Sequence, residues 1–312
     1  MDTFVEEHLA RTSRTFALAV PELEPRLCHA VGVAYLLFRV ADTLEDAALW
    51  SAGARVEALA DFVALLDDPD PARAAALASK FHAARPVDHE GYLDLLAALP
   101  RLMAELGTIE PAARAVITAH VARTARGMAE ITASAARGDI DLHTLGEVRH
   151  YCYVVAGIVG EMLTELFLLD QPQLARCAAT LRADAPRFGE GLQLVNILKD
   201  ARDDAREGRR FLPEGVSLGE VRALARDDLR AATRYTEVLQ SAGASRGIVM
   251  FAAMPIVLAY ATLAAVELHG PGAKVSRPEL FALLGDLRRR IDAGVPAITG
   301  DVDAALPPTG TA

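Results

Sequence analysis

The sequence predicts an all-α protein folded as one domain. Three observations carry that prediction. Apolar residues recur with helical spacing almost throughout, and no alternating strand pattern persists for long. Alanine and leucine dominate while aromatics are only 5%, which suits helices packed closely through small and unbranched side chains. The 312 residues are 52% hydrophobic and 24% charged, enough apolar surface for one large core.

Taken in order, the periodic segments are 3–20, 26–49, 52–67, 72–84, 90–106, 111–138, 144–169, 172–184, 186–206, 217–241, 245–268 and 278–292. Breaks fall at DDPDPA (67–72), RPVDHEG (85–91) and PGAKVSRP (271–278), where proline, glycine and short polar residues stop a helix. Two starts carry hydroxyl caps, at Thr108-Ile-Glu-Pro111 and Ser217-Leu-Gly-Glu220, where a side-chain oxygen can accept from freed N–H groups. The most apolar run, 248–268, is long enough to span a bilayer. Pro255 within it and the charges soon after it favour a kinked helix buried in a protein core, so no transmembrane anchor is expected. No linker or repeat interrupts residues 1–300, and the tail LPPTGTA within 301–312 is expected to be disordered.

The net charge of −10 argues against nucleic acid, which requires a clustered basic surface. An anionic ligand would need a positive charge supplied locally, and a divalent cation is one source. Cys28, Cys152 and Cys177 have no CxxC spacing and read as small buried hydrophobes in a reducing cytoplasm. The N-terminal stretch lacks an apolar signal core. The expected location is therefore cytoplasmic, with peripheral contact to a membrane left open and a monomer as the expected state.

Within FRVADTLEDA (38–47), Arg39, Asp42 and Asp46 share one helix face. With 42 acidic residues, chance alone gives about six acidic pairs at i, i+4, most of them solvated. A second segment, 191–213, is more informative. Gln193, Asn196, Asp200 and Asp204 form one stripe of oxygen-bearing side chains emerging from an apolar run. It could be the polar face of a surface helix. It could equally be half of a metal site, because oxygen-only ligands suit a hard cation such as Mg²⁺, which binds through few carboxylates plus substrate phosphates. Two such pairs facing each other across a cavity would hold Mg²⁺ against a diphosphate. Arg39, Lys199, Arg209 and Arg210 could then neutralise the leaving group during ionisation of an allylic diphosphate.

The two aspartate segments, with TSRTFALAV (12–20), GMAE (127–130), YCYVVAGIVGEMLTELF (151–167), GRRFLP (208–213) and FAAMPIVLAYATLAA (251–265), resemble the squalene/phytoene synthases over about residues 8–285. That family joins two prenyl diphosphates head to head. The resemblance implies an isoprenoid (terpenoid) synthase bundle around a central apolar cavity. It also implies that Asp42, Asp46, Asp200 and Asp204, with Asn196, hold Mg²⁺. Ser13, Arg14, Tyr35, Arg39, Gln193, Asn196, Lys199 and Arg209 would contact the substrate diphosphates, and Tyr151 would act around the cyclopropyl intermediate. Ala156, Gly157 and Gly160 would leave room for a prenyl chain, or would serve tight helix packing.

DTLED, GMAE and GRRF with Phe211 lean toward the squalene branch, which uses NADPH; Lys274 and Arg277 in GAKVSRP stand where that branch carries a basic segment. The expected activity is Mg²⁺-dependent condensation of two farnesyl diphosphates, through presqualene diphosphate, to squalene. The alternatives are phytoene, dehydrosqualene, presqualene diphosphate or a hydroxylated product. DARDD in place of the more usual DYLED, and Lys199 where many members have arginine, leave the metal motif intact. A di-iron bundle would need two ExxH motifs, and only Glu147-Val-Arg-His150 fits.

Overall fold

The computed structural model describes residues 2–13, 15–134, 140–206 and 208–299. Among them there are helices and no strand, as composition and periodicity require. The chain divides into two compact units. The first holds the described residues up to Asp141 together with Glu161–Asp170; the second holds Leu142–Gly160 and the described residues from Gln171 onward.

In the first unit the helices are α1 (Thr3–Thr12), α2 (Phe16–Ala19), α3 (Pro25–Glu45), α4 (Ala52–Asp67), α5 (Pro71–Ala84), α6 (Glu90–Ala97), α7 (Leu99–Thr108) and α8 (Pro111–Ser134). α3 is its centre. Leu36, Leu37, Val40 and Leu44 are fully buried, and α1, α4, α6, α7 and α8 all pack on it. α4 closes on α8, with Leu59, Phe62 and Leu66 of the one and Ile117, Val121 and Ala125 of the other buried. Each fully buried leucine or phenylalanine contributes about 2 kcal/mol, which outweighs the weak intrinsic propensity of any short helix here.

Several boundaries differ from the sequence pattern, each for a local reason. The first segment breaks at Ser13, which turns extended and whose Oγ accepts from Phe16 N–H (3.0 Å), so that a second helix starts. The segment 90–106 splits because Pro100 sits in the first turn of a new helix, where its fixed φ fits and its missing N–H costs nothing. Thr108 is not an N-cap. Its hydroxyl donates back to the Glu105 carbonyl (2.7 Å), ending α7, and α8 begins at Pro111.

The second unit contains α9 (Leu145–Cys152), a π-helical segment (Tyr153–Gly157), the start of α10 (Ile158–Asp170), α11 (Ala178–Arg206), α12 (Leu218–Ser241), α13 (Arg246–His269) and α14 (Arg277–Asp292). α11 is the counterpart of α3, packed by α12, α13, α9 and the π segment. It runs uninterrupted through Pro186, where the sequence pattern implies a break. Burial of Leu181, Ala185, Phe188 and Leu194 on both sides offsets the lost hydrogen bond. Ser217 and Glu220 form the expected capping box.

α13 continues through Pro255 with Ile248, Met250, Phe251, Met254 and Ile256 buried. Three helices, α3, α13 and the 145–170 stretch, have the length and composition to cross a membrane; 67% of the α13 window is buried within the protein. Cys28, Cys152 and Cys177 are free thiols, the first two buried and Cys177 half-buried. The 301–312 tail and the last residues of the 111–138 segment lie outside the described residues.

Candidate active site

In the first unit, the end of α3 carries Tyr35, Arg39 and Asp42 on successive turns, and Asp46 caps the helix with its N–H bonded to the Asp42 carbonyl (2.8 Å). Arg39 is held from several sides. Its Nη1 lies 3.2 Å from Asp42 Oδ2, and its Nη2 donates to the Tyr35 hydroxyl (3.0 Å), which donates in turn to the Thr12 carbonyl (3.0 Å). Its guanidinium carbon stands 5.6 Å from the Tyr35 ring centre and 5.3 Å from that of Tyr92 on α6, within cation–π range. The buried Nε has no hydrogen-bond partner among the described residues. Burial opposes the arginine's charge, yet Asp42, the two tyrosines and the Tyr35 hydrogen bond more than offset it and hold the guanidinium above its ordinary pKa.

Asp42 shows the opposite balance. Burial pushes its carboxyl up to about 6; Arg39 pulls it down only in part, and the neighbouring Asp46 adds to the rise. Desolvation, more than the neighbouring carboxylate, sets this balance. Ser13 belongs to the same neighbourhood, next to the Thr12 carbonyl that receives Tyr35, while Phe16 packs against the Tyr35 ring at 5.4 Å. The structure thus brings together Ser13, Tyr35, Arg39, Asp42 and Asp46; Arg14 lies outside the described residues. Tyr92 is a member that sequence reasoning missed. It lies 53 residues beyond Arg39, in a segment with no motif of its own.

In the second unit, α11 places Gln193, Asn196, Asp200 and Asp204 on one face as their spacing demands. Lys199 Nζ stands 3.1 Å from Asp200 Oδ2. After the helix ends, Gly208 takes a left-handed conformation (φ 82°) that turns the chain back. This brings the Arg209 N–H onto the Asp204 carbonyl (2.9 Å) and Arg209 Nη2 to 3.2 Å from Asp204 Oδ1. Arg209 also reaches over the Phe211 ring (5.9 Å), and Phe211 packs on Tyr151 of α9 with ring centres 4.9 Å apart. Tyr151, Phe211, Arg209 and Asp204 thereby form a single chain of contacts. Arg210, by contrast, pairs with Glu214 at 2.6 Å.

Glu190, one turn below Gln193, extends the oxygen-bearing stripe and was missed by sequence reasoning. It is buried and faces Arg149 at 3.4 Å; burial and the nearby Asp228 raise its pKa. Flanked by Gly189 and Gly191, it has no local signal that distinguishes it from a surface glutamate.

The two explanations for the small residues of the YCYVVAG block can now be separated. A Cβ on Gly160 would come 2.0 Å from the Ala185 carbonyl oxygen, and one on Gly189 would come 1.9 Å from that of Ala156. A Cβ on Gly157 would meet Tyr153 Cδ2 at 2.8 Å. Gly160 and Gly189 let two backbones touch, and Gly157 leaves room for the Tyr153 ring; close packing of the π segment and α10 against α11 accounts for them.

Among the described residues no group of three or more His, Cys, Asp and Glu side chains gathers as a metal site. The acidic pairs still fit a magnesium ion. Mg²⁺ takes one or two carboxylates and completes its shell with water and substrate phosphate, and Asp42, whose ionised form is disfavoured chiefly by burial, would be favoured as a carboxylate by a cation beside it. Lys274 and Arg277 lie exposed between α13 and α14, where neither makes an ion pair with a described residue. The left-handed Gly272 (φ 93°) donates to the Lys199 carbonyl (2.7 Å), so this loop is tied to α11 one residue before Asp200.

Residues 9–280 match the Squalene/phytoene synthase family. The chain belongs to that family. It is 30% identical over 280 residues to the squalene synthase of Bos taurus, covering 83% of this chain and 62% of the relative. It is 30% identical over 208 residues to that of Yarrowia lipolytica, covering 65% of this chain and 43% of the relative. The chain therefore spans about half the length of these curated relatives. Among solved structures, TcSQS with a bound ligand superposes with a TM-score of 0.74 at 22% identity, over 99% of this chain and 93% of that one. A dehydrosqualene synthase in complex with ligand superposes with a TM-score of 0.61 at 21% identity, over 93% and 96%. The all-α terpenoid synthase fold expected from the sequence is thereby established.

Proposed function

We propose that the protein is a Mg²⁺-dependent prenyltransferase that condenses two farnesyl diphosphates head to head, through presqualene diphosphate, to squalene. The observation that carries this is that each aspartate pair stands against a cation fixed by the fold, Arg39 at 3.2 Å from Asp42 and Arg209 at 3.2 Å from Asp204. Asp42 and Asp46, and Asp200 and Asp204 with Asn196, are the residues that would hold the ion. When bound, Mg²⁺ neutralises the diphosphate and so favours its departure.

The chain's own groups do the rest. Arg39, fixed by Tyr35 and Tyr92 and with its side chain 24% exposed, presents its guanidinium as a preorganised donor to the diphosphate. Lys199 and Arg209 offer the same service beside Asp200 and Asp204, with Gln193 as a neutral donor and Ser13 contributing on the first side. Once the diphosphate of one substrate leaves, the allylic cation is attacked by the 2,3 double bond of the other. The tertiary cation so formed closes to a cyclopropyl diphosphate as a proton is lost from C1 of the second substrate, the departed pyrophosphate being the strongest base at hand to take it. Tyr151, packed on Phe211, stands beside the second aspartate pair for the ionisation and rearrangement that follow. NADPH would supply the reducing hydride, and Lys274 and Arg277 are the basic residues offered to its phosphates. The enzyme is read as working at a membrane surface, where its hydrocarbon product dissolves.

Incubation with farnesyl diphosphate and Mg²⁺, with and without NADPH, tests this. Squalene formed only with NADPH is the expected result. Phytoene from geranylgeranyl diphosphate, with no turnover of the C15 substrate, would contradict it.

A further inference from the structure

In the second unit, the middle of α11 reads Phe188-Gly189-Glu190-Gly191, two poor helix formers around a single long side chain. Both glycines serve close approach. A Cβ on Gly189 would fall 1.9 Å from the Ala156 carbonyl oxygen of the π segment, and one on Gly191 would fall 3.2 Å from Asp228 Cβ of α12. α11 is thus pinned between two neighbours at this turn, and Glu190 is the long side chain that projects from it.

Glu190 touches the stretch that carries Tyr151 on both sides of that residue. Arg149, two residues before Tyr151 on α9, places Nη2 3.4 Å from Glu190 Oε2. At the end of the π segment, Glu190 Cγ and Oε1 lie 3.4 Å from where a Cβ of Gly157 would stand, beside Tyr153 Cδ2 at 2.8 Å. Between these two contacts the chain changes its winding. The Tyr153 N–H still reaches the Arg149 and His150 carbonyls, whereas the Ile158 N–H reaches back five residues to the Tyr153 carbonyl. Such π turns are rare and recur at functional sites. Tyr151 in turn packs its ring on Phe211, and Arg209 reaches over Phe211 while pairing with Asp204. The placement of the α9–π junction therefore decides where Tyr151 stands against the second aspartate pair.

A purely stabilising role does not suit Glu190. Its side chain is 7% exposed, and burial, then Asp228, work against its charge. Arg149 is 45% exposed and meets it only at the long end of the hydrogen-bond range. The fully buried Asp228 offers no relief: Arg187 takes its Oδ1 at 2.7 Å, and its Oδ2 has no hydrogen-bond partner among the described residues. A buried carboxylate with one distant partner adds little net stability, yet it constrains what it touches.

We propose that Glu190 is a positioning residue: clamped by Arg149 and laid against Gly157, it sets the α9–π junction and with it the Tyr151 ring. The proposal rests on the prenyltransferase reading for the step that Tyr151 serves, conversion of the cyclopropyl diphosphate to hydrocarbon.

The test follows the two half-reactions of the purified full chain with farnesyl diphosphate, Mg²⁺ and NADPH, and adds hydrogen exchange without substrate. In Glu190→Ala, formation of the cyclopropyl diphosphate should stay within about threefold of wild type, while its conversion slows at least about tenfold and the intermediate accumulates. The amides of 151–157 should exchange at least about tenfold faster, with a melting temperature within about 3 °C of wild type. Arg149→Met, at an exposed site, should reproduce both effects, and combining it with Glu190→Ala should bring no further loss. Glu190→Gln keeps the shape and can still accept from Arg149, so conversion should return to within about threefold of wild type. Unchanged conversion and exchange in Glu190→Ala overturn the proposal. So does equal slowing of both half-reactions with a lowered melting temperature, the mark of a structural residue. A Glu190→Gln variant as slow as Glu190→Ala also overturns it, because charge and not placement would then be what the step needs. A wild type that forms no cyclopropyl diphosphate, with exchange at 151–157 still governed by Glu190, would count against the prenyltransferase reading alone.

Discussion

The two acidic pairs look interchangeable as text, yet the protein builds them differently. Asp42 sits near the end of a buried helix with its side chain 31% exposed, against an arginine caged by Tyr35 and Tyr92. Asp200 is 47% exposed and pairs, among the described residues, with the adjacent Lys199; Asp204 gains its arginine from a turn that follows the helix. The first pair is preorganised by packing, and the second by local chain geometry at Gly208. Rigid cationic partners should therefore matter more in the first unit and be more replaceable in the second.

The largest effects should erase this difference, because both pairs are required. Asp42→Ala and Asp200→Ala are each expected to lower kcat at least about 100-fold with an unchanged circular dichroism spectrum. Substantial turnover in either variant would break the symmetry of the account. Next comes a stability effect confined to the second unit. Gly160→Ala forces a Cβ into the Ala185 carbonyl and should cost about 3 kcal/mol in denaturant unfolding, whereas Gly146→Ala, with no contact closer than 3.7 Å, should change little.

The cations should then separate the halves. Arg39→Lys should lower kcat/KM by about 10- to 100-fold, since an ammonium cannot serve Asp42, Tyr35 and the ring stacking together. Lys199→Arg should stay within about threefold of wild type. Equal losses would show that the tyrosine cage does not matter.

The smallest effect is on stability against pH. Asp42 is raised in the folded state to about 6 from the ordinary 3.8, so its ionised form is disfavoured by folding. The sign follows from linkage. The native state holds this proton more tightly, so the metal-free protein carries the penalty in full above about pH 6 and sheds it as pH falls toward 4. Asp42→Asn, which mimics the protonated carboxyl, should stabilise the metal-free protein by about 1–2 kcal/mol at pH 7, allowing for the partial exposure of the site. The gain should vanish near pH 4. Thermal melts across that range check it, and a gain that grows with acidity would reverse the assignment.

Much of this was legible before the structure. Helical period and composition were enough for the all-α class. The ordered blocks were enough for the family, because a doubled aspartate motif around YCYVVAG is rare where one acidic pair is commonplace. Periodicity could not show that α11 would pass Pro186, since that depends on burial by neighbouring helices. It also could not show that Thr108 would turn back onto Glu105, because a hydroxyl can end one helix as readily as it starts the next. Tyr92 and Glu190 escaped notice because their roles arise from partners 53 and 41 residues away, Arg39 and Arg149. The glycines of the YCYVVAGIVG block carried two meanings in the sequence, and the 2.0 Å at which a Cβ on Gly160 would meet the Ala185 carbonyl oxygen chose between them.

The central claim is that the two carboxylate pairs govern a metal-dependent departure of diphosphate. It is tested most directly by the initial rate of pyrophosphate release from farnesyl diphosphate as Mg²⁺ is titrated, with a chelated control. The account predicts no release in the chelator, saturable release with Mg²⁺, and a rightward shift of that titration in Asp42→Asn. Release that persists in the chelator at the wild-type rate would contradict it.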